Sequence, residues 1–528
     1  MRQMLKATGA IAGATLISRL LGLVREMVYA RFMGNGWVAS AFLLAFQIPN
    51  LFRRLLGEGA LTAAFIPQFK AAEKNEGEAA MWRSANAVLS GLVVAASVVV
   101  ALAIGVVSGC LMAGDFDTKT RLMLRLLRLM FPYLVMVCVA AVCMGMLNAR
   151  GKFFVPALGS TVLNVIMIAS VLLLAPRMGT ELPEQIYGLA IGVLAAGVAQ
   201  AAFQLPALMA DGWRFRWVNP WRDPMVGEVV RRMIPTTMGV AAFQINVMAT
   251  QGFAFFLGES IVASFQYAVR LMELPQGLFG ASMAAYLLPT LSGYAAEKRY
   301  GEYRSALVEG LASLVLVNVL AGALLVGLAE PIVRLLFEGG LFHAGATRSV
   351  ASALAFLAPG LVGFSGTSIL ARAFYAVGDT KVPMQISLFC LALNVVLSMF
   401  FALAMREAGL ALANTLTSTL NLLLLAYALR KKMPKLDFGP LLREAGWVVA
   451  TAVVAGAVAW GLSAGWSAWQ GERGFGIRLV AVFGPATLGA VAYFGVLWGI
   501  RVPSCRAVLG TAFARLRKNK GERGEGRV

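Results

Sequence analysis

The sequence contains few of the side chains on which soluble proteins and most enzymes depend. Only 14% of its 528 residues are charged, whereas 59% are hydrophobic, and so little charge cannot cover the surface of a soluble protein of this length. Its one histidine, His343, stands beside Phe342 in a predicted loop, and sequence motifs of zinc proteases and P-loop ATPases are absent. These absences argue against an enzyme, for example a membrane glycosyltransferase.

Cysteine is also scarce, and its spacing fits neither a metal site nor a secreted disulfide framework. Most of the cysteines lie in or beside apolar runs, so we expect small core residues there. The five are Cys110, Cys138, Cys143, Cys390 and Cys505.

Long apolar runs recur along the chain, and each has the length that a helix needs to cross about 30 Å of hydrocarbon. They predict an all-α membrane protein with about fourteen transmembrane helices. Charges interrupt the first run, so a cleavable signal peptide is not expected. The predicted spans are residues 8–33, 37–56, 86–108, 127–148, 154–176, 186–210, 234–257, 261–291, 305–328, 350–375, 383–404, 408–430, 443–464 and 477–500.

Positive charge is in large excess, with a net charge of +20. If the amino terminus is cytoplasmic, most Lys and Arg residues fall on cytoplasmic segments, as the positive-inside rule requires. This pattern places both termini in the cytoplasm. We expect the basic tail, residues 501–528, to contact solvent or lipid headgroups rather than nucleic acid.

An internal repeat divides the chain. Residues 71–74, Ala-Ala-Glu-Lys, recur at 295–298, and Gly151 and Val155-Pro156 recur as Gly378 and Val382-Pro383. Six spans per repeat make the two repeats parallel, as in transporters with a central cavity between two lobes. The apolar segment 331–341 is too short to span and is predicted to be interfacial. The predicted divisions are an amino-terminal lobe (1–210), a cytoplasmic linker (211–233), a carboxy-terminal lobe (234–430), two extra helices (431–500) and the tail (501–528).

Charged side chains interrupt two of the apolar runs. Each charge at the bilayer centre costs about 2.5 to 3.5 kcal/mol, so these groups must face water or one another. Arginine is in excess over glutamate among them, and paired guanidinium groups suit a phosphate. Buried ion pairs that hold helices together are the alternative. The residues are Arg19, Arg25 and Glu26 in the first span and Arg270 and Glu273 in the eighth, with Arg53 and Arg54 at the end of the second.

Glycine and proline interrupt the second and eighth spans, and matching interruptions in two halves of a transporter point to its binding site. Ordinary kinks that relieve packing are the alternative. The predicted hinge residues are Gly22, Pro49, Pro275, Gly277 and Gly280.

Four segments together resemble the signature motifs of the MurJ (MviN) lipid II flippases of the MOP exporter superfamily. They are Ser18-Arg19-Leu20-Leu21-Gly22-Leu23-Val24-Arg25-Glu26, Ile48-Pro49-Asn50-Leu51-Phe52-Arg53-Arg54, Glu58-Gly59-Ala60 and Arg270-Leu271-Met272-Glu273-Leu274-Pro275. The resemblance implies translocation of the undecaprenyl-pyrophosphate-linked peptidoglycan precursor between leaflets, with the lipid tail near the last two spans. It implies a substrate site at Arg19, Arg25, Arg53, Arg270 and Glu273, with weaker correspondence at Ser18, Glu26, Asn50, Arg54, Glu58 and Gly59.

Two positions depart from the family pattern. Some members carry an acid where this chain has Ser40 and a lysine where it has Gln47, which puts any coupling through that acid in doubt. No cofactor is expected, and coupling to Na⁺ or to the membrane potential stays open. Satisfied interhelical polar groups are the alternative to a weak Na⁺ site, whose candidate ligands are Asn246, Asp379, Asn394 and Ser398.

These observations predict a monomeric flippase in the bacterial cytoplasmic membrane that works by alternating access. Its expected partners are lipid II, the bilayer and the cell-wall synthesis machinery. A flippase for another polyprenyl-pyrophosphate-linked oligosaccharide, a drug exporter and a scaffold are the alternatives. A basic cavity disfavours an exporter of cationic drugs, and a scaffold does not need buried arginines.

Overall fold

The structure, a computed structural model, describes residues 2–56, 60–471 and 474–510. Within these ranges, side chains are not described for residues 2–16, 54, 56, 60, 62, 63, 235, 236, 238–240, 242 and 281. The described chain is helical almost throughout, and its β pairing is limited to one isolated bridge between Gly339 and Phe342. The prediction of an all-α protein is confirmed.

Eighteen α-helices follow one another in the described chain. They are α1 (Arg2–Met33), α2 (Trp37–Leu56), α3 (Ala60–Glu76), α4 (Glu78–Ala113), α5 (Thr118–Met130), α6 (Tyr133–Ala149), α7 (Phe154–Ala169), α8 (Leu182–Ala210), α9 (Pro224–Leu257), α10 (Ile261–Pro275), α11 (Ala281–Ala296), α12 (Tyr300–Gly327), α13 (Ala329–Phe337), α14 (Ala344–Leu357), α15 (Leu361–Ala376), α16 (Lys381–Lys432), α17 (Gly439–Gln470) and α18 (Phe475–Gly499).

Several helical stretches in the described ranges are long and apolar enough to cross a bilayer. There are eight of them, or nine if α5 and α6, which meet at an angle of 42°, form one bent span. The chain is therefore a multi-pass membrane protein, and the count of fourteen spans stays a prediction.

Helix α16 joins two of the predicted spans, 383–404 and 408–430. A straight helix of its 52 residues would be about 78 Å long, far more than a bilayer needs. Arg406 breaks it with φ 53° and ψ −127°. A Cβ on Gly409 would lie 2.1 Å from the Phe401 carbonyl oxygen, so only glycine fits this tight turn.

The helices form two compact units. The first unit contains Met1–Ala263 and Gly339–His343, and the second contains Ser264–Glu338 and Ala344–Val528. A core of aromatic and aliphatic side chains in the first unit includes Phe65, Phe69 and Trp82. The ring centroids of Phe65 and Phe69 are 5.3 Å apart, and those of Phe69 and Trp82 are 5.5 Å apart. In the second unit, α12 and α17 approach closely, because a Cβ on Gly327 would lie 2.5 Å from the Gly456 carbonyl oxygen.

The repeat is visible as one local structure that occurs in both units. Gly151 after α6 and Gly378 after α15 both have φ 77°. In each case the glycine N–H and the next N–H donate back to the end of the helix, at 3.0 and 2.9 Å after α6 and at 3.0 and 3.0 Å after α15. Both helices thus end in a Schellman motif, for which a left-handed glycine is the usual residue.

The residue after each glycine forms an ion pair, and the two pairs have opposite polarity. In the first unit, Lys152 Nζ is 2.7 Å from an oxygen of Asp211, which follows α8. In the second unit, Asp379 accepts from Lys432 Nζ at 2.6 Å, at the end of α16. In both repeats an ion pair thus joins the residue after the glycine to the end of the last helix of the repeat. The acid and the base have exchanged positions between the two repeats.

Candidate functional site

The charged residues of α1 form a cluster with an amide on α7. Arg25 Nη2 donates to Glu26 Oε1 at 2.5 Å, and Arg25 Nη1 donates to Asn164 Oδ1 at 3.0 Å. Glu26 is 6% exposed, so the carboxylate is paired where an isolated charge would be costly. The Asn164 amide nitrogen donates to the Ser18 carbonyl oxygen at 3.1 Å. The predicted residues Ser18, Arg25 and Glu26 therefore belong to one hydrogen-bonded cluster with Asn164.

An aromatic ring lies beneath this cluster. The Arg25 guanidinium carbon is 5.5 Å from the ring centroid of Tyr29, one turn further along α1. Tyr29 is buried, and its hydroxyl has no hydrogen-bond partner in the described chain. The guanidinium thus has a carboxylate, an amide and a π face around it, which fixes its orientation and strengthens its field in apolar surroundings.

Arg19 lies apart from this cluster. Its side chain is exposed, and it makes no hydrogen bond or ion pair with any residue that the structure describes. Gly22 lies between the two arginines within an unbroken α1, and a Cβ there would meet Asn164 at an ordinary 3.7 Å. Helix α1 thus continues through Gly22, and its role as a hinge stays a prediction.

The end of α2 holds a second predicted pair. Arg53 Nε donates to Asn50 Oδ1 at 2.7 Å, because residues three apart lie on the same face of a helix. Pro49 lies inside α2, which continues to Leu56. The Arg54 side chain and residues Glu58 and Gly59 lie outside what the structure describes.

The second unit holds the remaining predicted pair. Arg270 Nη1 donates to Glu273 Oε2 at 2.8 Å on α10, and both side chains are more than one-third exposed. Helix α10 ends at Pro275, and a π-helical turn, Gln276–Gly280, leads into α11. The turn contains the predicted hinge residues Gly277 and Gly280. A Cβ on Gly280 would lie 2.5 Å from the Ser365 hydroxyl, so the turn also packs closely against α15.

Ser40, where some family members have an acid, has a structural role here. Its hydroxyl donates to the Glu259 carbonyl oxygen at 2.6 Å and accepts from the Ala263 N–H at 3.3 Å. It is fully buried and connects α2 to the first turn of α10. An ionised acid at this position would face the Glu259 carbonyl oxygen. Gln47 is half-buried on the same helix.

Two of the candidate Na⁺ ligands, Asp379 and Asn394, lie far apart along the chain direction of α16. Asp379 accepts from the Lys381 and Val382 N–H groups at the start of α16, whereas Asn394 is about 22 Å further along the helix by its rise per residue. The ion pair with Lys432 and the hydrogen bond from the Val382 N–H hold the pKa of Asp379 below its usual value. The carboxylate thus acts as a helix cap.

The other candidates are buried polar groups. The Asn394 amide donates to the Thr417 hydroxyl at 3.0 Å, and Ser398, one turn on, is fully buried. The Ser398 hydroxyl makes no hydrogen bond within the described chain. Asn246 is buried on α9 in the first unit. Among the described residues, no three His, Cys, Asp or Glu side chains form a group suited to a metal ion.

Sequence reasoning did not identify Asn164 or Tyr29 as members of the Arg25 cluster. Asn164 carried one signal, a lone amide in the apolar run Val162-Leu163-Asn164-Val165-Ile166. Such a residue usually makes an ordinary interhelical hydrogen bond. Tyr29 carried no signal, because a tyrosine near a helix end is common in membrane proteins.

Two solved structures have a similar helical architecture. A solved structure described as an inward-facing multidrug resistance MATE family transporter of the MOP superfamily matches 80% of this chain and 99% of its own, with a TM-score of 0.65 at 15% identity. A solved lipid II flippase MurJ in an inward closed conformation matches 92% of this chain and 99% of its own, with a TM-score of 0.74 at 21% identity. This chain therefore shares its fold with both solved structures.

Sequence comparison gives the family. The family model for lipid II flippase MurJ matches residues 29–473. A probable lipid II flippase MurJ of Vibrio cholerae is 32% identical over 527 residues, which cover 96% of this chain and 98% of the relative. The chain belongs to the lipid II flippase MurJ family.

Proposed function

We propose that this protein is a lipid II flippase, which moves the undecaprenyl-pyrophosphate-linked peptidoglycan precursor from the inner to the outer leaflet. Membership of the MurJ family supports the proposal. The observation that carries it is the Arg25 guanidinium of α1, held between Glu26 and Asn164. An arginine held in this way is ready to bind a phosphate and costs little further ordering when it does so.

The proposed mechanism is alternating access. Arg53 and Arg54 first attract the pyrophosphate, and Arg19, Arg25 and Arg270 then bind it. Glu26 and Glu273 orient Arg25 and Arg270 before substrate arrives. The turn at Gly277 and Gly280 supplies a flexible joint in the second unit. The polyprenyl tail stays in the bilayer while the headgroup crosses, and no covalent bond changes.

The test is translocation of fluorescent lipid II in proteoliposomes, with Arg25→Ala and Arg270→Ala as the variants. Both should abolish translocation while the protein still inserts and keeps its helical circular dichroism. Arg348→Ala is the matched control, because Arg348 is exposed on α14 and outside the proposed site. Wild-type rates in both site variants would contradict the proposal. A chemically altered product lipid would show an enzyme instead.

The proposal also covers the membrane location of the protein, its partners and its energy source. We place the protein as a monomer in the bacterial cytoplasmic membrane with both termini cytoplasmic and without a nucleic-acid partner, alongside the cell-wall synthesis machinery. The division into lobes 1–210 and 234–430 stays a prediction. Coupling to Na⁺ or to the membrane potential is tested by imposing each gradient in turn on the same proteoliposomes. Stimulation by Na⁺ that is lost in Asn394→Ala would support a Na⁺ site at that residue.

A further inference from the structure

A surface segment with exposed aromatic and basic side chains joins α8 to α9. It comprises residues 213–223, here called the strap, and includes one 3-10 turn at Pro220–Arg222. Trp221 is 77% exposed, which is unusual for the largest of side chains. The other exposed aromatic and basic residues of the strap are Arg214, Phe215, Arg216, Trp217 and Arg222.

The strap is fixed against α4, so these side chains are presented outward by a defined backbone. The Trp213 indole N–H donates to Asn86 Oδ1 at 2.9 Å, and the Asn86 amide donates to the Arg214 carbonyl oxygen at 2.9 Å. The Val218 N–H donates to the Ser90 hydroxyl at 3.4 Å. Asn86 and Ser90 are buried beneath the strap. Hydrogen bonds therefore hold the strap in a defined position on the first unit.

The position of the strap along α4 places it at the edge of the hydrocarbon layer. Residues 84–113 of α4 are uncharged, and only about twenty residues are needed to cross the hydrocarbon. If the uncharged run is centred, residues 89–108 lie in hydrocarbon. A Cβ on Gly91 would lie 3.0 Å from Pro220 Cβ, so the 3-10 turn lies at the boundary and Arg214, near Asn86, lies among headgroups.

The same face of α4 beyond the strap is apolar and exposed. Val98 and Leu102 lie within about 20° of Gly91 around the helix axis, and both are more than half exposed. Val106, one turn further, is also exposed. A face of this composition contacts lipid chains, so the strap covers the end of a lipid-facing surface.

The strap carries positive charge that is not neutralised by described acidic residues. Arg216 and Arg222 make no hydrogen bond or ion pair with any residue in the described ranges. The nearby acids are occupied, because Asp211 pairs with Lys152 and Asp223 accepts from Ser84 and caps α9.

We propose that the strap binds the headgroups of anionic phospholipids in the surrounding bilayer. Arg216 and Arg222 contact the phosphates, and Trp217 and Trp221 insert at the boundary, where indole rings are favoured. Each basic residue near an anionic membrane surface strengthens association by about fivefold. A lipid occupant follows from the depth of the strap and from the apolar face beside it.

The experiment measures tryptophan quenching in the full chain, reconstituted in phosphatidylcholine vesicles. Brominated-chain phosphatidylglycerol or brominated-chain phosphatidylcholine is the quencher. The wild-type signal minus that of Trp217→Leu/Trp221→Leu isolates the two strap tryptophans. Brominated phosphatidylglycerol should quench this difference signal at least about threefold more effectively than brominated phosphatidylcholine. The double variant Arg216→Gln/Arg222→Gln should remove this preference for phosphatidylglycerol. All four residues are exposed, so the anchors at Trp213 and Asn86 stay intact.

Two matched controls complete the design. Trp469→Leu removes an exposed tryptophan on α17, and the signal it isolates should not prefer phosphatidylglycerol. Arg348→Gln should leave the strap preference unchanged. Equal quenching of the strap signal by both lipids would overturn the proposal. Absence of quenching by either lipid would also overturn it, and would assign the strap to water or to an acidic protein partner. Neither result depends on lipid II translocation.

Discussion

Asn164 accepts a hydrogen bond from the Arg25 guanidinium and donates one to the Ser18 backbone carbonyl, so one amide on α7 contacts α1 at points two turns apart. The amide is neutral, and it therefore orients Arg25 without cancelling its charge. Glu26 supplies a carboxylate to this hydrogen-bonded group. We assign Asn164 as a positioning residue for Arg25.

Replacing Asn164 tests this assignment. Asn164→Asp keeps the acceptor oxygen but adds a second carboxylate at 3.0 Å from Arg25, so it should neutralise the guanidinium and raise the apparent KM for lipid II by about tenfold. Asn164→Ala should lower both the affinity and the rate, because Arg25 is then free to adopt several rotamers. The measurement is the initial translocation rate against lipid II content in proteoliposomes.

Asn164→Gln is the matched control, since it keeps a neutral amide and should retain more activity than Asn164→Ala. An Asn164→Asp protein with the wild-type KM would contradict the role assigned to the neutral amide.

Glu26 should be important for stability as well as for transport. Glu26→Gln removes the charge that offsets Arg25 in a buried location, and breaking a buried pair in this way costs about 3 to 5 kcal/mol. We expect a lower thermal unfolding midpoint in detergent, together with reduced translocation. Glu273→Gln, at a pair that is more than one-third exposed, should lower the midpoint much less. Equal losses in the two variants would contradict this difference.

Replacement of Ser40 by alanine or by an ionised acid should destabilise the protein. Ser40→Ala loses two hydrogen bonds and leaves the Glu259 carbonyl oxygen without this partner, for a cost of about 1 to 3 kcal/mol. Ser40→Asp should destabilise more at pH 7 than at pH 5, because an ionised carboxylate faces a carbonyl oxygen and a protonated one can donate to it. The unfolding midpoints of both variants at the two pH values check this. A Ser40→Asp protein more stable at pH 7 would show a different local structure.

The Asp379–Lys432 pair should contribute stability that depends on pH. The pKa of Asp379 lies below its usual value, chiefly because of the hydrogen bond from Lys432. The contribution is therefore fully present above the unfolded pKa of about 3.9 and is lost as the pH falls through the lower, folded pKa. Asp379→Asn keeps the cap oxygen and should cost about 0.5 kcal/mol at pH 7, with a smaller difference from wild type below pH 4.

Asp379→Ala also removes the helix cap and should cost about 1 kcal/mol more than Asp379→Asn. This extra loss should not change with pH. Unfolding midpoints from pH 3 to 7 separate the two parts. Identical midpoints for the two variants would show that the cap contributes nothing.

Contacts within one helix were accessible from the sequence. Arg270 and Glu273 are three residues apart, and helical periodicity alone places them on one face, where the structure pairs them. The helical character and most helix positions followed in the same way from the apolar runs. Helix α3 was missed as a helix of its own, because Lys70, Glu73 and Lys74 make its carboxy-terminal half polar.

Contacts between distant helices were not accessible. Arg25 and Asn164 are 139 residues apart, and nothing in either segment specifies which apolar helix packs beside α1. Residue types alone group Asp379 with Asn394 and Ser398. The rise of the helix, however, separates Asp379 from Asn394 by about 22 Å.

The opposite polarity of the two loop ion pairs has a consequence for how a duplicated chain assembles. If the terminal helix of one half docked against the other half, Lys152 would meet Lys432 and Asp379 would meet Asp211. Like charges would then oppose the exchange at both junctions, whereas each correct docking brings opposite charges together. The charges at the two junctions thus favour docking of each terminal helix within its own half during folding.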